Sequence, residues 1–394
     1  MAKVVTTGKG RRWLENGHPW LYSDDVAGAD AQPGELVPVF DPNDKPLGWG
    51  LFSTHSRITV RMVSRSPEQP TRAFWEDLVA RAMTERERLG LMEPTGACRL
   101  IAGDSERLPG FVVDRYADVL VVQSGCQGSD RMRDFLLELI LERMPTGVRA
   151  ILDRSDAAVR RLEALEPNVE WVQGEVDGPL ILEENDGLKY EVDVREGHKT
   201  GHYLDQRDNR AVASMYAAEG RVLDAFCYDG LFGIQAARQG AERVLSLDQS
   251  AAAGERLKRN AELNGVQDRV EFVKANAMQD LRERAKGDER FDLVIVDPPA
   301  FARNRKEVEG AARGYRELNL RAMGLVEEGG HLVSCSCSYN VGREAFQGYL
   351  RNASRDANRP AFLLHVAGAS HDHPVLLTLP ESSYLKAAFL RIDA

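Results

Sequence analysis

Two apolar runs in this 394-residue chain end in polar groups able to do chemistry. The first, Phe291-Asp292-Leu293-Val294-Ile295-Val296, leads into Asp297-Pro298-Pro299-Ala300-Phe301; the second, about forty residues later, ends in Ser334-Cys335-Ser336-Cys337-Ser338. In an open parallel α/β sheet, ligands bind beyond the carboxyl ends of the strands. If the two runs are neighbouring strands, Asp297 and Cys337 face one crevice. A carboxylate and a thiol beside a flat base and a methyl donor suggest cytosine methylation. Carbon 5 of cytosine is too weak a nucleophile to take a sulfonium methyl directly. A thiolate adding to carbon 6 makes carbon 5 enamine-like; methyl transfer follows, and loss of the carbon 5 proton expels the thiol. Cys337 is the expected nucleophile, and it must be a thiolate although a free Cys has a pKa of about 8.5. Nearby positive charge, the bound sulfonium included, is the expected means of activation. Asp297, near N3 and the exocyclic amine, would offset charge developing on the ring. Sequence names no base for the carbon 5 proton.

The neighbours of these two residues are read in the same terms. Pro298 and Pro299 stiffen the loop and fix where the carboxylate and the main-chain carbonyl point. Phe301 could stack on a base drawn out of its helix. Cys335 shares a strand face with Cys337 and reads as a small buried hydrophobe.

A methyl donor needs its own site. Val222-Leu223-Asp224-Ala225-Phe226-Cys227-Tyr228-Asp229-Gly230 is a strand followed by a turn in which glycine lets a ligand approach the backbone. Asp224 and Phe226 lie at its strand end. Eighteen residues beyond Gly230, Asp248 ends the next strand, where a carboxylate can accept hydrogen bonds from two ribose hydroxyls. The turn departs from the G-x-G-x-x-G fingerprint that holds a pyrophosphate at a helix N-terminus. Asp229 within it would repel phosphate, which disfavours NAD. S-adenosylmethionine (AdoMet) has no phosphate and a positive sulfonium, so the chemistry favours it. Asn276, after the third strand, suits either an adenine amine or a helix N-cap.

The elements that must position these residues follow from the pattern. From about residue 195, strands at 222–226, 244–248, 270–274, 293–297 and 332–337 alternate with helical stretches, which predicts a parallel, doubly wound sheet. The runs 375–379 and 384–390 follow each other with only a short turn, as an antiparallel pair can. Residues 1–66 read as a small β-rich unit and 67–192 as a middle α/β domain ending in a hairpin at Asn185-Asp186-Gly187. The catalytic domain would be 193–394.

Composition sets outer bounds. The net charge of −10 does not advertise a nucleic-acid binder, although residues 1–66 hold eight Lys/Arg against seven Asp/Glu. A local basic surface can still supply phosphate contacts within a Debye length, ~8–10 Å. No apolar run reaches the ~18 residues of a membrane span, and the first residues lack a secretory pattern. Five cysteines without CxxC or His-rich spacing argue against a disulfide framework or a zinc site. A reducing cytoplasm is the expected compartment.

With these residues in hand, the chain resembles the 23S ribosomal RNA methyltransferase I family, bacterial AdoMet enzymes that make 5-methylcytosine. The resemblance rests on Gly17-His18-Pro19-Trp20, on Leu108-Pro109-Gly110-Phe111-Val112-Val113-Asp114-Arg115-Tyr116, and on Lys199-Thr200-Gly201-His202-Tyr203-Leu204-Asp205-Gln206-Arg207-Asp208-Asn209-Arg210. The Asp-Pro-Pro-Ala-Phe loop, Ser336-Cys337-Ser338 and His373-Pro374 complete it. It implies an N-terminal PUA domain, an RNA-binding β-barrel, then a middle α/β domain and a class I methyltransferase whose sheet ends in an antiparallel strand. It implies Cys337 as nucleophile, AdoMet as cofactor, and 23S ribosomal RNA or a large-subunit assembly intermediate as partner, with a homodimer left open. Ala300 stands where another group of RNA cytosine methyltransferases carries a second cysteine. Lys199, Arg207 and Arg210 suit RNA phosphate or the AdoMet carboxylate, and equally suit solvated or salt-bridged charges. His18 and Trp20 could contact RNA or close the barrel. The competing readings are a base N-methyltransferase in which Cys337 only packs, and an idle RNA-binding assembly factor.

Overall fold

The alternating runs after residue 205 build a seven-stranded sheet. Its strands are β1 (Arg221–Ala225), β2 (Arg243–Asp248), β3 (Val270–Lys274), β4 (Phe291–Val296), β5 (Val326–Ser336), β6 (Ala361–Ala367) and β7 (Lys386–Ile392). They lie in the order β3-β2-β1-β4-β5-β7-β6. The first five are parallel, and β7 runs antiparallel to both β5 and β6. These are features of a computed structural model that describes residues 2–145, 147–217, 219–302 and 307–394. Among the described residues six helices accompany the strands: α1 (Arg207–Ser214), α2 (Leu231–Arg238), α3 (Ala251–Leu263), α4 (Ala277–Arg284), α5 (Val308–Leu325) and α6 (Arg343–Ala357).

Strand β4 shows why the pattern works. It is buried at five of its six positions, because helices cover both faces of a parallel sheet and leave little place for alternation. Leu223, Ala225, Val294 and Val296 pack with Tyr315, Leu318 and Phe346 in one core. Strand order reverses on either side of β1, since β2 lies to one side and β4 to the other. A crevice at such a reversal is where doubly wound sheets hold ligands.

Contacts divide the chain into two compact units. One comprises Met1–Asp186, Val192–Leu204 and His371–Ser382; the other comprises Gly187–Glu191, Asp205–Ser370 and Ser383–Ala394 and holds the seven-stranded sheet. The first unit contains a six-stranded sheet built from residues 3–64 and a five-stranded sheet built from residues 97–173. Leu51 and Val63 from the first share a core with Trp75, Leu100 and Leu120. Residue 66 is therefore no break in packing, although it ends the β-rich stretch.

The tail departs from its sequence pattern. Residues 375–379 form no strand, and Leu377 is 92% exposed. The antiparallel partners of β7 are β5 and β6 instead. The segment His371–Ser382 belongs to the first unit, where the Asp372 carboxylate accepts from the Arg99 amide (2.8 Å) and its carbonyl accepts from Arg86 (2.9 Å). Within 375–379 the Leu376 amide donates to Ser382 Oγ and the Leu379 amide to the Leu376 carbonyl, turn-type bonds that take backbone donors a strand would have paired.

Candidate active site

Val296 of β4 pairs with Ser334 of β5, so the residues that follow each strand emerge side by side. Asp297 is partly buried, and its Oδ2 accepts a hydrogen bond from Gln206 Nε2 at 2.9 Å. Gln206 is itself oriented: its Oε1 accepts from Asn209 Nδ2 at 2.6 Å, and the same Nδ2 donates to the Gly368 carbonyl at 3.0 Å. This chain of amides fixes which face of the carboxylate stays available.

The Cys337 sulfur lies 3.9 Å from the Pro298 carbonyl oxygen. Of the five cysteines it is the one that is not buried. Cys335 is sealed in packing, and burial pushes its thiol well up. The two serines flanking Cys337 are anchored on one phenol. Ser336 Oγ donates to the Tyr315 hydroxyl at 2.8 Å, Ser338 Oγ lies 2.9 Å from it, and Ser338 Oγ also accepts from the Ala302 amide at 3.3 Å. Burial raises the Tyr315 pKa despite these bonds, so the phenol stays neutral. Phe301 packs on Tyr315 with ring centroids 4.7 Å apart. Its ring thus helps fix the loop, a role the sequence did not suggest. Pro298 is buried and Pro299 exposed.

Another group at this tip comes from the far end of the chain. Lys386, at the start of β7, pairs across the sheet with Ser336 and is 3% exposed. Its Nζ donates to the carbonyls of Ser338 and Tyr384, each at 2.8 Å. Burial pushes its pKa down to about 8, with the Cys337 sulfur opposing that shift.

The cofactor side lies at the tip of β1. Asp224 is buried, and its Oδ2 accepts from the Gly233 amide at 3.0 Å. Burial raises its pKa to about 7; the Gly233 bond opposes this, and the charges of Asp297, Asp229 and Asp248 add to it. Phe226 (φ 65°) and Tyr228 (φ 52°) are held in the left-handed region, an unusual cost for two non-glycine residues in one turn. Gly230 (φ 83°) caps α2, and a Cβ there would come within 2.5 Å of Leu257 on α3. Asp248 accepts the Ser250 amide on Oδ1 (2.8 Å) and the Tyr228 amide on Oδ2 (3.1 Å). Each oxygen keeps a further lone pair, as ribose hydroxyls require.

These residues fit AdoMet. Asp224, Asp229, Asp248 and Asp297 make an acidic locality that suits a sulfonium and repels a pyrophosphate. Asp224 itself is enclosed, and its bond to the Gly233 amide ties down the turn. Asn276 is exposed and caps α4, accepting the Gln279 amide on Oδ1 at 3.1 Å. The cap is therefore realised, and the adenine contact stays an expectation.

Several expected contact residues lie elsewhere or are enclosed. Arg207 and Arg210 on α1 are buried, so in this conformation they are not the solvent-facing cations that RNA phosphate would need. Lys199 is exposed and belongs to the first unit, with its Nζ 4.5 Å from the Tyr203 ring centroid. His18 is buried at 5% exposure. Its Nδ1 accepts from the Trp20 amide at 3.1 Å, which leaves Nε2 as the N–H donor to Glu381 at 3.2 Å. Trp20 donates its indole N–H to Asp104 at 2.6 Å. The His-Pro-Trp segment is bonded within its own unit, as the closing role expects, and an RNA contact by His18 or Trp20 stays an expectation. Gln206, Asn209, Tyr315 and Lys386 escaped the sequence reading, because their types carry no distinctive chemistry until the fold sets them beside Asp297 and Cys337.

Among the described residues no helix is long and apolar enough to cross a membrane. Comparison with known proteins adds the family. A profile described as S-adenosylmethionine-dependent methyltransferase matches residues 153–391, and a PUA-like domain profile matches residues 4–65. The fold is similar to that of SMU.776 complexed with SAH, with a TM-score of 0.86 and 20% identity over 99% of this chain and 100% of that one. Fold, turn and profile together define an AdoMet-dependent methyltransferase that carries a PUA-like domain. Ribosomal RNA large subunit methyltransferase I of Tolumonas auensis is 39% identical over 379 residues, 95% of each chain. The protein of that name from Shewanella denitrificans is 39% identical over 399 residues and the full length of both. The chain belongs to the ribosomal RNA large subunit methyltransferase I family, and its cofactor is S-adenosylmethionine.

Proposed function

We propose that this methyltransferase acts in the cytoplasm on carbon 5 of a cytosine in 23S ribosomal RNA, either free or within a large-subunit assembly intermediate. The observation that carries the reading is the approach of the Cys337 sulfur to the Pro298 carbonyl at 3.9 Å, a partly exposed thiol bordering the loop that bears Asp297. The PUA-like match at residues 4–65 and the names of the relatives support an RNA substrate.

AdoMet supplies the electrophilic methyl group. Cys337 attacks carbon 6 as thiolate, and the electron pair passes to carbon 5, which takes the methyl. Asp297, held by Gln206, faces the ring edge and offsets the charge that develops there. Loss of the carbon 5 proton then restores the double bond and expels the Cys337 sulfur. The Tyr315 phenol ties down both serines that flank the nucleophile.

Incubation with AdoMet and ribosomal RNA containing 5-fluorocytosine tests the proposal. Fluorine cannot leave as the proton does, so a covalent protein–RNA adduct should accumulate on a denaturing gel and be absent from Cys337→Ala. Methylation of ordinary RNA that persists in Cys337→Ala would instead indicate transfer to nitrogen and end the cytosine-5 reading.

A further inference from the structure

The reaction asks for a thiolate in acidic surroundings. Asp297 on the β4 loop lies near enough to act electrostatically on Cys335, Tyr315 and Asp224, and each feels it as a carboxylate opposing a second negative charge. On that side a sulfur anion is disfavoured. A cation lies on the last strand of the sheet. Lys386 is enclosed, and among the described residues the partners of its Nζ are backbone carbonyls rather than a carboxylate. Two of its three donors reach the carbonyls of Ser338 and Tyr384, and one of those follows the nucleophile directly in the chain. An ammonium removed from water with only neutral acceptors is costly and calls for an anion.

We propose that Lys386 is the positioning residue that keeps Cys337 as thiolate, the buried ammonium and the sulfur forming a pair. The proton balance follows the state of the amine: where Lys386 is neutral it takes the thiol proton, and where it is already an ammonium the thiol proton leaves to solvent; either way the pair is a thiolate and an ammonium. The titratable groups that share charge interactions with Cys337 or with its strand neighbour are Asp297 from the β4 loop, Tyr315 from α5 and Cys335 from β5. Of these, Asp297 opposes the thiolate, and the Tyr315 phenol stays neutral. The lowered Lys386 pKa, about 8, agrees with an amine able to exchange a proton with a thiol near neutrality. Because β7 runs antiparallel and begins opposite Ser336, Lys386 lies at the strand tip that leads to Cys337, and its Nζ reaches the Ser338 carbonyl there. The proposal deepens the cytosine-5 reading and rests on it for its purpose, though the ion pair can be measured without RNA.

The test is the pH profile of iodoacetamide alkylation at Cys337, followed by mass spectrometry of its peptide in the full-length protein, with Cys337→Ser as blank. The wild type should titrate below the ordinary thiol value of about 8.5. Lys386→Met should raise the midpoint by about one unit, lowering the alkylation rate near pH 7 about tenfold, and Lys386→Arg should keep it low. A wild-type midpoint at or above the ordinary value overturns the proposal without any variant, so a Lys386→Met protein that fails to fold does not shield it. Identical profiles for wild type and folded Lys386→Met overturn it equally. A midpoint lowered in the wild type and raised in Lys386→Met, without a 5-fluorocytosine adduct, would refute the cytosine-5 reading and support the pair. An adduct with an ordinary midpoint would refute the pair alone.

Discussion

Asp224 shows how one enclosed carboxyl can tie cofactor binding to pH. Its pKa, about 7, is raised chiefly by burial, with the charges of Asp297, Asp229 and Asp248 adding to it. An acid whose folded value exceeds its unfolded one contributes stability at low pH, and that contribution is lost as pH climbs through about 7. On this group's account the cofactor-free protein weakens between about pH 4 and about pH 7. A cationic cofactor favours the ionised carboxylate and so reverses the preference. AdoMet binding should therefore release a proton and tighten about tenfold from pH 6 to pH 8. Calorimetric titration in buffers of different ionisation enthalpy measures both effects, and Asp224→Asn should flatten them. A flat wild-type profile would remove this acid from cofactor recognition. Asp297, by contrast, is served by an oriented amide: Gln206 can only donate to it, because its carbonyl is occupied by Asn209.

Among the elements, the β1–α2 turn is the most constrained. Gly230 combines a left-handed backbone with a Cβ position 2.5 Å from the Leu257 side chain, so a side chain there must displace that buried leucine. Gly230→Ala should lose about 1–2 kcal/mol from conformation alone and more from the clash. Its AdoMet affinity should fall further than its melting temperature implies, because Phe226 and Tyr228 share the same strained turn. Binding and thermal melts measured on one preparation separate the two effects; unchanged affinity in a folded variant would exclude the turn from the cofactor site. The pairing of β4 with β5 and of β5 with β7 has the same logic at the other tip. Register delivers Asp297, Cys337 and Lys386 from positions spread over ninety residues to adjacent places.

At the scale of the whole molecule, the two compact units divide the work and do not follow the chain in order. The segment His371–Ser382 returns to the first unit before β7 completes the sheet of the second. His18, enclosed and bonded to the Trp20 amide and to Glu381, ties the start of the chain to that returning segment. His18→Ala should cost about 1–3 kcal/mol of stability by stranding the Glu381 carboxylate, with AdoMet affinity unchanged. Urea melts and cofactor titration on the same protein check this; an affinity that fell with stability would mean the units are energetically coupled.

Much of this was legible before any coordinates. The βα alternation, the strand ends at Asp224, Asp248 and Asp297, and the thiol at Cys337 are local patterns, and burial on both faces of a parallel sheet writes them as short apolar runs. Motif spacing was enough to favour AdoMet over a dinucleotide, because charge in the turn is a one-dimensional fact. Folding alone decided which polar residues meet. Arg207, Arg210 and His18 look like surface contacts in the linear chain yet are enclosed, since exposure depends on segments far away in sequence. Gln206, Tyr315 and Lys386 gain their roles from strand order and register, which place residues from α1, α5 and β7 around one carboxylate and one sulfur. Short-range order follows from local periodicity, whereas an electrostatic environment is a sum over neighbours in space, and only the packed chain selects those neighbours.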